Sequence, residues 1–447
     1  MPGEWLDRRE GYARGRALRD TADPASHRHV VLADARPSVA DYVQVSNEGR
    51  LAELIPLRVG RMLTSPFAFL RGSAALMATD LAAGPRSGLT AQLCGDAHAA
   101  NFGLYGTQDG RIVMDINDFD ETAPGPWEWD LKRLVVSVVL AGRLGGVSER
   151  GCRDAAHDAA RSYRRTITDL ADLPFLESWA ALTDESVLAA VKAEQLLDEF
   201  ADAAKKARKN TSSKIAAQTT RSDQDGWRFV ADPPVLTEVS AATVDAIAAA
   251  IPDYVDSLRE SRAHLMVRYR FCDAALRLVG TGSIGLRTYV ILLQGNGDEA
   301  LILQAKQARP SALQHALGLA PAAHEGERIV HGARLVQAET DILLGWTTIE
   351  GRPFIVRQFR NRKGSIEASS LNRDHLDDYG RLAGALLARA HSRSIDPRIL
   401  AGYCGNTDEM DDAFTGFATA YADQTESDHA DLTAAVKAGT MTATAES

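Results

Sequence analysis

Apolar positions repeat every three to four residues over long stretches of the chain and alternate over a few short ones, and the two regimes fall into separate blocks. From "RLAELIPLRVGRML" (50–63) to "SAALMATDLAA" (73–83) the period is helical. It breaks at Ser65-Pro66, where proline suits a helix start. "FGLY" and "RIVMDI" flank the turn-forming "GTQDG" and predict a hairpin over 102–116. "WEWDLKRLVVSVVLAGRLGG" (127–146) predicts an amphipathic helix stopped by Gly-Gly. Residues 150–265 read as mostly helical, with an irregular stretch around "TTRSDQDGWRFVADPPVL", and residues 1 to about 30 read as polar and loosely ordered.

The regime then switches. "DAALRLV" (273–279), "RTYVILL" (287–293) and "ALILQAKQ" (300–307) predict three consecutive strands, joined by "GTGSIG" and by "QGNGDE" with its Asn-Gly turn. "ERIVHGARLVQA" (327–338) predicts a helix, and "LLGWTTI" with "PFIVRQF" predicts another hairpin. The chain closes in two helices, "HLDDYGRLAGALLARAHSRS" and "DDAFTGFATAYADQ", and a polar tail, with no internal repeat. Four segments follow: a mostly helical 1–90, a helical 91–265, a β-rich 266–365, and C-terminal helices over 366–447.

Composition narrows the class. With 447 residues, 45% apolar and 25% charged, the chain is long enough for a large core without staples. A net charge of −10 argues against nucleic acid or an anionic membrane as partner. The basic run "KKARKNTSSK" (205–214) is the local exception, and such runs are most often solvated faces. Four scattered cysteines form no C-x-x-C pair. The N-terminus has no apolar core of a signal peptide, and no apolar run is long enough to span a bilayer; a cytoplasmic protein is expected.

Candidate chemistry concentrates in "LCGDAHAANFG" (93–103). Asp96 and Asn101 have the D-x-x-x-x-N spacing of a phosphotransfer loop, in which the aspartate takes the proton of the attacking hydroxyl and the asparagine oxygen holds magnesium. In "NDFD", Asp118 suits the aspartate that binds the β/γ-bridging magnesium, with Asp120 beside it, and Asp130 opens the next helix, where a simple N-cap is the plainer role. A metal-hydrolase reading of Asp96, His98, Asp115, Asp118 and Asp120 competes, but no second histidine cluster accompanies them. His98 is therefore expected to be a structural hydrogen-bonding residue. "GTGSIG" fits G-x-G-x-x-G but is followed by a strand. Strand, glycine loop, strand is the geometry of a flap over nucleotide phosphates, made by Gly280, Gly282, Ser283 and Gly285. Lys306, on the next strand, then stands where kinases place the lysine of the α/β-phosphates, although a surface lysine on an edge strand is the plainer reading of that position alone.

"GDAHAANFG" followed by "INDFDETAPGPWEWDLKRL" resembles the catalytic and metal loops of aminoglycoside phosphotransferases and their kinase-like relatives. From about residue 40 to 435, including "GRMLTSPFAFLRGSAALMATDLA" and "LLGWTTIEGRPFIVRQFRNRKGS", the chain is similar to the uncharacterised bacterial family called domain of unknown function 2252. The kinase-like resemblance implies ATP and Mg²⁺, with Asp96 as base, Asn101 and Asp118 as magnesium ligands, and Asp130 as a loop-anchoring aspartate. It departs from the pattern at Cys94, where a histidine is usual, in a longer gap between Asn101 and Asp118, and in Asp120 as third residue of the metal motif. The first lysine of the chain is Lys132, so the glycine loop and its lysine follow the catalytic loop instead of preceding it. The expected fold is α+β, two-lobed and kinase-like with circular permutation, which surface termini tolerate. Lys306 is then expected within about 10 Å of Asp118, paired with Glu327 or else Glu339. The expected function is phosphoryl transfer from a nucleotide to a hydroxyl of a small-molecule acceptor. A catalytically silent nucleotide-binding module is the alternative.

Overall fold

The computed structural model describes residues 5–107, 109–182, 186–223, 226–278, 284–359 and 362–444. Gly280, Gly282 and Ser283 of the glycine loop lie outside them. The fold is mixed α+β, with strands gathered into small antiparallel sheets.

The Trp127–Leu144 helix runs through the middle of the largest hydrophobic cluster, and every residue from Trp127 to Gly142 is buried. The amphipathic expectation fails here. The helix is covered on all sides by the helices Glu149–Asp172, Arg373–Ser392 and Glu409–Lys437, so its polar residues must each find a partner inside the protein. Glu128 accepts the Ser87 N–H at 2.6 Å, and the Lys132 ammonium lies 4.3 Å from the centre of the Phe417 ring. The close seam between Glu149–Asp172 and Arg373–Ser392 is made by small residues. A Cβ on Gly384 would lie 2.2 Å from the Ala159 carbonyl oxygen, so only glycine admits this approach.

From Trp5 onward the N-terminal segment is ordered, against expectation. Asp7 and Glu10 form a capping box that starts the Arg8–Ala17 helix, which packs on Pro397–Cys404, a helix the periodicity did not predict. His27 is fully buried against Phe414 and Tyr403. The stretch expected to be irregular contains the strands Thr220–Asp223, Gly226–Phe229 and Leu236–Glu238.

Six strands form the main sheet, in the order Gly345–Ile349, Arg352–Gln358, Ala300–Gln307, Thr288–Gln294, Arg270–Arg277, Leu236–Glu238, all antiparallel. The predicted strands are present: Arg270–Arg277, Thr288–Gln294 and Ala300–Gln307 follow one another in the sheet, and residues 279–283 lie outside the described residues. Alternation sorts the side chains of Ala300–Gln307 onto two faces. Leu301, Leu303 and Ala305 join the cluster formed with Ile247, Tyr254 and Met266. Ala300 and Ile302 face the other way, and by the same period of two so do Gln304 and Lys306. Lys306 is therefore on a central strand, paired on both sides, and not on an edge.

Candidate active site

Two ladders clamp the loops that carry the candidate residues. Strand Thr90–Leu93 pairs with Ala123–Pro126, with Leu93 opposite Ala123, and strand Phe102–Gly106 pairs with Ile112–Ile116, with Phe102 opposite Ile116. Loops 94–101 and 117–122 thus leave one ladder together and enter the other together. The Asn117 N–H donates to the Asn101 carbonyl at 2.8 Å and joins the loops where they meet the hairpin. Gly95 has φ +87°, and a Cβ there would lie 2.1 Å from the Glu121 carbonyl oxygen. The first loop can pass the second this closely only as glycine.

Asp130 holds the first loop from below. Its Oδ2 accepts the Cys94 N–H at 2.8 Å and its Oδ1 the Gly95 N–H at 3.1 Å, while His391 Nε2 lies 3.4 Å from Oδ2. Asp130 lies in the first turn of its helix, downstream of the N-cap position at Pro126, so its carboxylate serves the loop and not its own helix end. Cys94 contributes its backbone, and its buried thiol is pushed well above the usual range by burial and by Asp130.

Asp96 and Asn101 lie at opposite ends of this loop and are joined by a hydrogen bond from Asn101 Nδ2 to the Asp96 carbonyl at 2.7 Å. That donation fixes the amide with its oxygen as the remaining acceptor end. Asp96 Oδ1 is bonded to Arg133 Nε, and His98 Nε2 lies 3.5 Å from Oδ2. His98 is buried edge-on to Phe67, and burial pushes its imidazole down to about 4 although Asp96 acts in the other direction. It is a neutral neighbour of Asp96.

Lys306 meets the second loop. Its Nζ lies 2.5 Å from Asp120 Oδ2 and 3.5 Å from Asp118 Oδ2. The expected closeness to Asp118 is observed; the expected glutamate partner is not. Glu327 faces His331 at 3.9 Å and Glu339 pairs with Arg111 at 3.2 Å. The helix Glu325–Val336 reaches the site through Arg328, which donates to the Asp120 and Arg309 carbonyls at 2.8 Å each, and to the Thr122 carbonyl. Asp118 is surrounded by protein yet opens onto the cleft, with its side chain 42% exposed. Burial would raise its carboxyl, but the charges of Lys306 and Arg357 outweigh it and hold the group below the usual carboxylate range. Burial and Asp118 raise Asp120, against the pull of Lys306. Lys306 stays charged because the two carboxylates overcome its own burial.

A cavity of about 240 Å³ opens in front of these loops. Asp96, Asp118, Asp120 and Glu121 form one part of its lining, and Arg50, Arg58, Arg71 and Arg309 another. Burial pushes the Glu121 carboxyl up to about 7, with Asp120 and Asp96 adding to the effect and the Ala312 N–H opposing it. The arginines, Arg133 and Glu121 were missed in sequence. For Arg58 and Arg71 the available signal is a charge inside an apolar helical run, in "LIPLRVGRML" and "PFAFLRG", since a charge placed there must be satisfied by the fold. Gly285, the described end of the glycine loop, has φ +82°, and its carbonyl accepts the Leu51 N–H at 2.8 Å, next to Arg50.

Asp115, of the metal-hydrolase set, is turned away from the cavity. It is fully buried and paired with Arg389, and it accepts the Ala338 N–H at 2.8 Å. Among the described residues no three Asp, Glu, His or Cys side chains are grouped as a metal-binding cluster. Asp118 and the Asn101 oxygen do suit magnesium, which takes one or two protein oxygens and completes its shell with water and phosphate. The exposed Lys205, Lys206 and Arg208 end the Leu197–Arg208 helix, where positive charge complements the carbonyl terminus. The four cysteines are free, and among the described residues no helix is long and apolar enough to cross a membrane.

No curated protein and no solved structure matches the chain. A family model described as "Uncharacterized protein conserved in bacteria (DUF2252)" matches residues 50–435.

Proposed function

The chain belongs to the DUF2252 family, whose description carries no activity, and we propose from the site itself that it is an ATP- and magnesium-dependent phosphotransferase acting on a hydroxyl of a small molecule. The observation that carries this reading is the approach of Lys306 Nζ to Asp118 Oδ2 at 3.5 Å, beside a cavity that Asp96 also lines. Nothing local in the sequence requires these residues to meet, whereas a triphosphate must be held by a lysine at its α/β end and by metal residues at its β/γ end. The strand pair around the glycine loop, the lysine on the third strand and the following helix support a kinase-like nucleotide lobe. Because this lobe follows the Asp96 loop, the fold is read as circularly permuted.

In this reading the acceptor hydroxyl faces Asp96 Oδ2, the oxygen that Arg133 leaves open. Its proton passes to that carboxylate as its oxygen bonds to the γ-phosphorus. The bond from that phosphorus to the β,γ-bridging oxygen breaks, and ADP leaves. Asn101 and Asp118 would hold magnesium, which when bound neutralises charge on the β- and γ-phosphates. Asp130 keeps the loop in place. Catalysis then rests on positioning and charge, the main contributions available to phosphoryl transfer.

A silent nucleotide-binding module is the second reading, favoured by the bond between Asp96 and Arg133, which leaves one carboxylate oxygen fewer for an acceptor. Incubating the protein with γ-labelled ATP, magnesium and a metabolite library separates the two. Label transfer to a library member supports the enzyme. Magnesium-dependent ATP binding without transfer to any compound supports the silent module, and no binding overturns both.

A further inference from the structure

The arginine side of the cavity is not absorbed by the nucleotide reading. Arg58 is 2% exposed and lines the cavity. Its guanidinium donates to Ser46 Oγ at 3.0 Å, to Asn47 Oδ1 at 2.7 Å and to the Gly72 carbonyl at 3.2 Å, while its Nε has no hydrogen-bond partner among the described residues. Arg71, one residue before that carbonyl, likewise has a buried and unpartnered Nε. The carboxylates of the same cavity are engaged elsewhere: Asp96 with Arg133, Asp118 and Asp120 with Lys306, Glu121 with the Ala312 N–H. Among the described residues neither Arg58 nor Arg71 forms an ion pair. Burial pushes Arg50 down to about 9, and the charges of Arg58 and Arg309 add to it. Like charges gathered around a cavity in this way are stabilised by an anion.

Position decides which anion. Arg50 and Arg309 stand toward the glycine loop: Arg50 donates to the Ile284 carbonyl, and both arginines donate to the Ser46 carbonyl. Arg58 bridges from that residue to Arg71: it donates to Ser46 Oγ at 3.0 Å and to the carbonyl of Gly72, the residue after Arg71. The charge of Arg71 bears on His98, and Tyr42 feels Arg58, Arg133 and Asp96 together. We infer, on the phosphotransferase reading above, that the acceptor already carries a phosphate group and that Arg58 and Arg71 bind this group while the acceptor hydroxyl faces Asp96. Guanidinium forks match a phosphate's oxygens with parallel hydrogen bonds, and a pair of them balances a dianion. A monocarboxylate would leave one of the two uncompensated.

The test uses the full chain with inorganic phosphate, with acetate, and with magnesium plus a non-hydrolysable ATP analogue, followed by calorimetry and thermal shift. Phosphate is expected to bind, to remain bound when the analogue is saturating, and to bind more tightly than acetate. Arg71→Met is expected to weaken phosphate about tenfold or more while changing the analogue less than about twofold. Arg71→Lys, which keeps the charge, should recover part of the loss and checks that the site is intact. Competition between phosphate and the analogue, equal weakening of both by Arg71→Met, acetate binding as tightly as phosphate, or no phosphate binding to the wild type each overturns the inference. Phosphate binding that is lost in Arg71→Met, with no analogue binding under any condition, overturns the nucleotide reading and leaves the anion site standing.

Discussion

Asp130 Oδ2 accepts the backbone N–H of Cys94 at 2.8 Å, so a side chain from a fully buried helix sets the conformation of the loop that carries Asp96. Asp130 also receives the Gly95 N–H, and both donors lie in the core. Asp130→Ala should cost about 2–4 kcal/mol, because two buried donors lose their acceptor at once. Urea unfolding measures this. A loss below about 1 kcal/mol would mean that the loop holds its shape without the carboxylate.

Asp118 faces the cleft and Asp120 takes the shorter contact with Lys306. Asp118→Asn should therefore remove magnesium-dependent ATP stabilisation while leaving the unliganded protein folded. In the wild type that stabilisation is expected to be about 2.7 kcal/mol at a ligand concentration a hundredfold over Kd. Thermal shifts with and without magnesium measure it. An unchanged shift in the variant would remove Asp118 from the metal site.

Legibility in the sequence followed how local each feature is. Strands Thr288–Gln294 and Ala300–Gln307 were readable because alternation and an Asn-Gly turn are local signals. The Trp127–Leu144 helix was also readable, but its burial was not. Glu128, Lys132 and Arg133 look like a solvated face until three other helices cover them. The meeting of Lys306 with Asp118 was expected from two separate local patterns, the glycine loop with its following strand and the Asp-Phe-Asp motif, joined only by the requirement that one triphosphate be held by both. The glutamate expectation failed by one position on a helix. His324 caps the helix through the Glu327 N–H, Glu327 turns toward His331, and Arg328, about 100° further round, faces the loop. Of the arginine wall, Arg58 and Arg71 lie on two helices and Arg50 on the bend before them, while Arg309 comes from far downstream, just past the strand Ala300–Gln307, so no window contains it.

Asp96→Asn should separate chemistry from binding. The amide keeps the size of the side chain, and the Asn101 bond goes to the Asp96 backbone, which the substitution leaves in place. Turnover should fall by about 10²-fold or more, with nucleotide affinity nearly unchanged. Steady-state kinetics and a direct binding titration, run on the same preparation, decide it. Parallel loss of affinity would give Asp96 a structural role through Arg133 and not a role in proton transfer.

His27 provides a pH test of the N-terminal segment as part of the core. It is fully buried, its Nε2 lies 2.7 Å from the Tyr403 hydroxyl, and burial, aided by the charge of Lys132, pushes its imidazole down to about 3 from an ordinary 6.5. A base whose pKa is lowered by folding binds more protons when unfolded. Its contribution is thus fully present above pH 6.5 and is lost as pH falls toward 3. Between pH 6.5 and pH 4 the loss should be on the order of 3 kcal/mol. His27→Phe, set among Phe414 and Tyr403, removes the titrating group. It should lower stability at pH 7, where the hydrogen bond to Tyr403 is forfeited, and flatten the decline toward pH 4. Denaturant unfolding of both proteins at pH 7, 5.5 and 4 gives the two slopes. Equal slopes would mean that His27 takes up its proton without unfolding, and that residues 24–28 leave the core before the rest of the fold does.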